Sequence, residues 1–367
     1  MAGSSQSMTG VRVPCVIVLA GRYQAGAAHR LAGRRMGGTR LPGVQGGTEG
    51  DEAAAPGRRA TPVEVGIRAR PGGTATNRLD PARSCAVHGP WNMGRAMSSL
   101  PELAVLFPNE PYFLGNTMGV MGEPLRHLYM AAAVATLQDL DRAVRVLEIG
   151  SWIGFSTLTW AQALDERVPH KGSILCVDPW ASYWSPAEIQ AGGVMATMDF
   201  MARSDLSYNL FRHNLTFAPP GVRIDHVRGR SEDVLPYFAD GAFDLVFIDG
   251  DHRYAAVANE LREADRLLAD GGLLCGDDLE HQAPASACAA LDPAIHYRQD
   301  PATGVRYHPG VTRAVAEALG PVSAYEGFFV MRKLGGGYVP VDLSGRTASI
   351  PRHFPPALKA SIRSRFG

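Results

Sequence analysis

No apolar run in this 367-residue chain approaches the roughly 20 residues that cross a bilayer, so the sequence offers no membrane-spanning helix. Cysteine is scarce and irregularly spaced. Cys15, Cys85, Cys176, Cys275 and Cys288 are odd in number and form no C-x-x-C. That argues against a disulfide framework or a zinc site and points to a reducing cytoplasm. Lysine is rarer still, with only Lys171, Lys333 and Lys359. Net charge is zero, which gives no reason to expect nucleic acid or an acidic polymer as partner. The zero conceals an imbalance: residues 1–96 hold 13 arginines and five acidic residues, and the remainder is correspondingly acidic.

Residues 1–96 also lack apolar periodicity and are rich in Gly, Ala, Arg, Pro and Thr. A segment of that composition buries too little apolar surface to offset its chain entropy, so it is expected to be disordered. Met93 and Met97 are read as alternative starts. The run Val13–Ala20 resembles a short signal core but has no clustered basic start, and secretion is not expected. From Leu100 the texture changes, and the working domain is expected over 97–334.

Within that domain strand and helix signals alternate. Helical spacing covers 122–141, 156–164, 206–215, 231–238, 255–268 and 310–319. Strands are predicted at 145–148, 173–177, 222–227, 243–248, from Gly272 to Cys275, and at 327–331. Such alternation implies an α/β fold, a doubly wound and mostly parallel sheet covered on both faces. Residues 181–205 are predicted to be an irregular insertion. Residues 335–367, which open on three glycines, are predicted to be a peripheral C-terminal extension.

The first strand leads into VLEIGSWIGFSTL (146–158), where Gly150 and Gly154 bracket a tight turn before a helix. Ligands of open parallel sheets sit beyond the carboxyl ends of such strands. The spacing is G-x-x-x-G and lacks the middle glycine of G-x-G-x-x-G, the one that admits a pyrophosphate. A nucleoside without that group suits the turn. Ser151 and Ser156 place hydroxyls at a helix N-terminus, where a carboxylate binds well. The second strand ends on Asp178, placed to accept hydrogen bonds from ribose hydroxyls. Ser231 follows the third strand, where polar groups can read an adenine edge.

The fourth strand ends in Asp249-Gly250-Asp251-His252 and the fifth in Gly276-Asp277-Asp278-Leu279-Glu280. In a parallel sheet both ends share one rim. Three converging carboxylates repel unless a cation sits among them. Asp249, Asp277 and Asp278 are therefore candidate ligands for a hard ion such as Mg²⁺. His252 is the obvious neutral-pH base of the group. His213 and His281 are weaker candidates, and Asp251 reads as a loop or cap residue.

VLEIGSWIGFST, ILCVDPW, FDLVFIDGDHRY and GGLLCGDD, in this order, resemble class I S-adenosylmethionine-dependent methyltransferases. The nearest resemblance is to bacterial small-molecule O-methyltransferases of the macrocin and cephalosporin-biosynthesis type. It covers about residues 100–333. It implies a Rossmann-like seven-stranded sheet with an antiparallel last strand. It also implies cofactor contacts from Glu148, Gly150, Ser151, Asp178 and Ser231, to which the turn reading adds Gly154 and Ser156, with Asp249 at the next strand end. Catechol-type relatives carry two acids and an Asn on a divalent metal and use a Lys base. This chain has a third Asp, Asp278, in place of the Asn, and offers His252 as macrolide-sugar methyltransferases do. The expected reaction is metal-assisted O-methylation of a sugar-like or other secondary-metabolite hydroxyl, with Trp180, Tyr183, Trp184 and residues 280–289 as lid material. A homo-oligomer fits the same resemblance. The alternatives are a metal-independent enzyme of the same fold, a non-catalytic cofactor-binding module and a nucleotide-dependent oxidoreductase.

Overall fold

The computed structural model describes residues 64–66, 100–113, 123–288, 290–292 and 294–366. All of them fall in one compact unit, residues 60–367. In chain order the elements begin with β1 (Glu64–Gly66), α1 (Leu100–Leu106), α2 (Arg126–Ala135) and β2 (Val144–Ile149). There follow α3 (Phe155–Arg167), β3 (Gly172–Asp178), α4 (Pro186–Gln190), α5 (Gly193–Arg203), α6 (Leu206–Leu215) and β4 (Val222–Arg228). Next come α7 (Ser231–Val234), β5 (Phe243–Ile248), α8 (Tyr254–Leu267), β6 (Leu268–Gly276), α9 (Ala285–Cys288), β7 (Arg298–Gln299) and β8 (Arg306–Tyr307). The chain closes with α10 (Pro309–Ala318), β9 (Ser323–Tyr325), β10 (Phe328–Leu334), β11 (Gly337–Pro340), β12 (Thr347–Ser349) and α11 (Pro356–Phe366).

The central sheet runs β11-β10-β6-β5-β2-β3-β4, and β9 also pairs with β10. The five strands from β6 to β4 are mutually parallel, and β10 is antiparallel to β6. The strands are continuous apolar runs because both faces are covered, and residue parity assigns the face. Val146, Leu245, Phe247, Leu273, Cys275, Phe328 and Val330 point to a core shared with α2 and α3. Leu147, Ile149, Val246, Ile248, Leu274 and Phe329 point to a second core shared with α8 and α10. The doubly wound parallel arrangement with an antiparallel strand beyond it is as expected. The sheet has eight strands rather than seven, because β9 and β11 divide the outer edge of β10 between them. At the opposite edge, β4 is only half covered and carries Arg223 paired to Asp225 at 2.7 Å, followed by Arg228.

Three segments differ from the sequence-based expectation. Residues 335–367 are not peripheral. β11 extends the sheet, and Val341, Leu343, Ala348, Ile350, Phe354 and Ile362 are buried in the α2–α3 core. Glycines at the start of the segment masked an apolar pattern too irregular to show a period. Residues 64–66, within the stretch expected to be disordered, pair antiparallel with β12; the rest of 1–99 lies outside the described residues. The insertion 181–205 is mostly helical. Ser185 caps α4 in a capping box: its amide donates to Glu188 Oε2 at 2.8 Å and its Oγ accepts from the Glu188 amide at 3.3 Å. Ser-Pro-x-Glu is legible in the sequence.

Leu343 is fully buried whereas Leu334 is half exposed. Leu343→Ala is therefore expected to cost about 2–5 kcal/mol in urea denaturation, as a core truncation does. Leu334→Ala should change stability little, and equal small effects would show that the C-terminal segment is not part of the core.

Candidate active site

One cavity of about 670 Å³ opens at the carboxyl ends of the parallel strands. The loops after β2, β3, β4, β5 and β6 all contribute to its wall, as an open α/β sheet requires. Ser151, Ser156, Asp178, Ser231, Asp249, Asp277, Asp278 and His252 line it, as does Gly150. Glu148 and Gly154 are not among its lining residues.

The β2 loop is shaped by close packing and internal hydrogen bonds. Gly150 has φ +84°, and a Cβ there would lie 1.9 Å from the Asp249 carbonyl oxygen. The glycine is thus needed for the approach of two strand ends. Gly154, also at positive φ, starts α3. Glu148 is wholly buried below the loop. Its Oε2 accepts from Ser151 Oγ at 2.7 Å and from Thr157 Oγ1 at 2.5 Å, while Oε1 has no partner. Burial raises its pKa, and the hydroxyl donors oppose the rise. Glu148 therefore holds the loop from beneath.

Asp178 ties β3 to the same loop. Its Oδ2 accepts from the amides of Ser151 and Trp152, each at 2.9 Å, and Oδ1 accepts from Trp180 N at 2.6 Å. Burial pushes its pKa up against these three donors. A carboxylate has about four lone-pair sites, so acceptor capacity remains on the cavity side. Ser231 Oγ is turned to Glu260 Oε1 at 2.6 Å. Glu260, on α8, has its Oε2 buried without a partner, and burial raises its pKa to about 8. The sequence offered no sign of this carboxyl beyond an acid on the apolar face of an amphipathic helix.

The acids beyond β6 meet a cation that the sequence reading overlooked. Arg126 of α2 is nearly inaccessible. Its Nη1 lies 2.6 Å from Asp277 and 2.9 Å from Asp278, Nη2 lies 2.6 Å from Glu280, and Nε donates to the Glu326 carbonyl at 2.6 Å. Burial alone would push Asp277 upward; Arg126 opposes this and leaves it at about 6. Asp278 is held well below the carboxylate range: burial works the other way, and His252, His308 and Arg126 overcome it. An arginine amid the apolar residues of 122–141 was the available signal.

His252 sits between two of the acids. Its Nε2 is 2.9 Å from Asp278 Oδ2 and 3.8 Å from Asp249 Oδ1, and its Nδ1 is buried without a partner. Burial depresses its pKa, but the two carboxylates outweigh this and hold it well above the usual histidine range. Asp249, His252 and Asp278 present ligand atoms within 4.8 Å of one another; Asp277 is not in that group. Two further histidines stand beside His252. His296 stacks on it at 5.2 Å and His308 meets it edge-on at 4.3 Å. Burial and the neighbouring His252 lower His296 to about 4 and His308 to about 2.

Asp251 caps the loop, accepting from the Arg253 amide at 3.1 Å, while Arg253 Nη2 reaches Glu188 at 3.0 Å and pins the insertion to the β5 loop. Tyr183 and Trp184 line the cavity, whereas Trp180 is fully buried with its indole N–H on the Trp152 carbonyl. His213 contacts the Glu110 carbonyl and His281 packs on Tyr307; neither lines the cavity.

Residues 147–279 match a family model described as a methyltransferase domain. The matched stretch runs from β2 to just past β6 and includes each parallel strand end that walls the cavity. The likeness of this stretch is to methyltransferase domains. No curated protein matches the chain. Similar solved structures include an O-methyltransferase from Bacillus cereus in complex with S-adenosylhomocysteine, 18% identical over 65% of this chain and 92% of that one, with a TM-score of 0.36. Another is the O-methyltransferase TomG from Streptomyces achromogenes, involved in tomaymycin synthesis, 19% identical over 69% and 94% of the two chains, with a TM-score of 0.31.

Two consequences of the buried charges are measurable. Arg126→Met strands three carboxylates and is expected to cost about 3–5 kcal/mol near neutral pH, with part recovered in acid as the carboxyls protonate. Stability unchanged at neutral pH would contradict the central place given to this ion cluster. Glu260 has a folded pKa of about 8 against an ordinary 4.5. Its contribution is complete below the ordinary value and is lost as pH rises through the folded one. Relative to Glu260→Gln, the wild type should lose up to about 1.4 kcal/mol per pH unit within that window. Parallel stability curves for the two proteins would remove the claim.

Proposed function

We propose that the protein transfers the methyl group of S-adenosylmethionine to a hydroxyl of a small molecule, and that His252 accepts the hydroxyl proton. The position of His252 carries this reading. It lies on the wall of the cavity formed by the β2, β3 and β4 loops, paired with an acid from β6. Cofactor cleft and base therefore share one chamber.

The β2 loop supplies Ser151 and Ser156 at the start of α3, Asp178 faces the ribose, and Ser231, oriented by Glu260, stands at the adenine end. The acceptor oxygen attacks the sulfonium methyl carbon, the carbon–sulfur bond breaks with its electron pair going to sulfur, and the product is S-adenosylhomocysteine. The flanking acids favour the protonated ring, so His252 acts after releasing that proton to solvent: Nε2–H then donates to Asp278, which fixes the tautomer and leaves the Nδ1 lone pair to receive the hydroxyl proton. Asp278 then stabilises the imidazolium, as the acid of a catalytic dyad does. Holding the reacting atoms in line supplies much of the remaining acceleration.

The magnesium-assisted version favoured by the sequence has less support. Its premise was that clustered carboxylates need a cation, and Arg126 is one. Asp277 and Asp278 are both engaged by that guanidinium, and a nitrogen ligand, His252, stands between Asp278 and Asp249. An ion that prefers an all-oxygen octahedral shell is poorly matched to this set. The acceptor is read as a small molecule of sugar or secondary-metabolite type in the cytoplasm, with no nucleic-acid or membrane partner. Among the described residues no helix is long and apolar enough to cross a membrane.

Calorimetry with S-adenosylhomocysteine and a methyl-transfer assay on hydroxylated acceptors test the proposal together. His252→Ala should lower kcat by about 10²–10⁴-fold while cofactor affinity stays within a few-fold. Activity should survive EDTA. A folded protein that binds no S-adenosylhomocysteine, or a His252→Ala variant with full activity, would refute it.

A further inference from the structure

Beside His252 stand two histidines that methyl transfer does not use. His296, just before β7, and His308, just before α10, lie outside the strand-end motifs. Their rings nevertheless converge on His252, and the two centroids lie 4.8 Å apart. One ring nitrogen from each of the three histidines lies within 4.8 Å of the other two. Gly310 permits the approach. A Cβ at that position would lie 2.4 Å from the His252 carbonyl oxygen, so any larger residue would push the start of α10, and His308 with it, away from the β5 loop.

The three rings are poorly served as hydrogen-bonding groups. Nδ1 of His252, of His296 and of His308 is in each case buried without a partner. His296 is 7% exposed and His308 1% exposed, so water does not substitute for one. Buried polar atoms normally find partners, and three orphans in one cluster call for a ligand. Asp278 Oδ2 adjoins the cluster, 2.9 Å from His252 Nε2 and 3.8 Å from His308 Nε2.

We propose that His252, His296 and His308 form a binding site for a borderline divalent cation of the zinc type, with Asp278 as its anionic neighbour and an open position toward the cavity. Imidazole nitrogens suit zinc, cobalt or nickel and are poor ligands for magnesium. The spacing is within reach. With nitrogens 4.8 Å apart at most, the central point lies about 2.8 Å from each, and inward shifts of roughly 0.7 Å reach the ~2.1 Å of a zinc–imidazole bond. The ion displaces the proton of His252, and the three rings, then neutral, leave its charge to be met by Asp278 and Asp249, both already at the site. Cysteine spacing offers no zinc site; three histidines distant in sequence supply a different donor set. Ligation occupies the lone pair that His252 uses as a base, so the ion inhibits methyl transfer. Only this last consequence rests on the proposed reaction.

The test uses the full chain, stripped by dialysis against a chelator and titrated with Co²⁺ as a visible-absorbing probe. One equivalent should give the absorption of a nitrogen-ligated, low-coordinate ion, and Zn²⁺ should displace it. Loss of an outer partner alone weakens metal sites about 10–100-fold, so His308→Gln should lower affinity by more than about tenfold. His296→Gln should do the same, and it decides the matter where thermal melting shows that His308→Gln has not folded. Absence of saturable binding at one equivalent, or unchanged affinity in both folded variants, would overturn the proposal. S-adenosylhomocysteine calorimetry on the same samples keeps the two readings apart. Cofactor binding without the cobalt site sinks only the metal site, and cobalt binding without cofactor binding sinks only the methyltransferase reading.

Discussion

The Arg126 guanidinium is the fixed point of the catalytic end of this molecule. Buried among Asp277, Asp278 and Glu280, and donating to the Glu326 carbonyl, it joins α2, the end of β6 and the β9–β10 turn in one hydrogen-bonded cluster. Removing four charged groups from water is costly unless each is paired, and here each is. Asp278 is thereby held ionised and in place, and it in turn orients His252. The chain from Arg126 to the candidate base thus contains only two hydrogen-bonded steps.

The cofactor side is built by a different device. Glu148 from beneath and Asp178 from the side hold a loop whose tightness depends on Gly150 meeting the Asp249 carbonyl. Both acids are raised by burial and restrained by donors from the loop itself. Loop, β3 and β5 are in consequence mutually locked before any ligand arrives, which is the preorganisation that binding and catalysis both favour.

Much of this architecture was legible in local sequence. The apolar runs VRVLEI, SILCV and FDLVFI can only be strands covered on both faces, and the G-x-x-x-G turn followed by an acid at the next strand end marks the cleft. What remained hidden depends on distant residues meeting. Arg126 is an unremarkable helical arginine until three acids some 150 positions later surround it. His296 and His308 lie in turns with no periodic signal. Ser231 was legible as a polar residue at the third strand end, but its partner Glu260 was concealed in an otherwise ordinary amphipathic helix. The C-terminal segment failed for another reason: its buried residues follow an irregular path across the sheet, so no 2.0 or 3.6 repeat betrays them.

The central sheet has two borders, and an open ladder of amides and carbonyls is a template on which other chains can add. On one side β4 carries exposed Arg223, Asp225 and Arg228 among its half-covered residues, and a strand docking there would have to desolvate that charge. On the other, two short strands share β10, so no single long ladder is left bare. Among the described residues, both borders are thereby unfavourable templates for the addition of another strand.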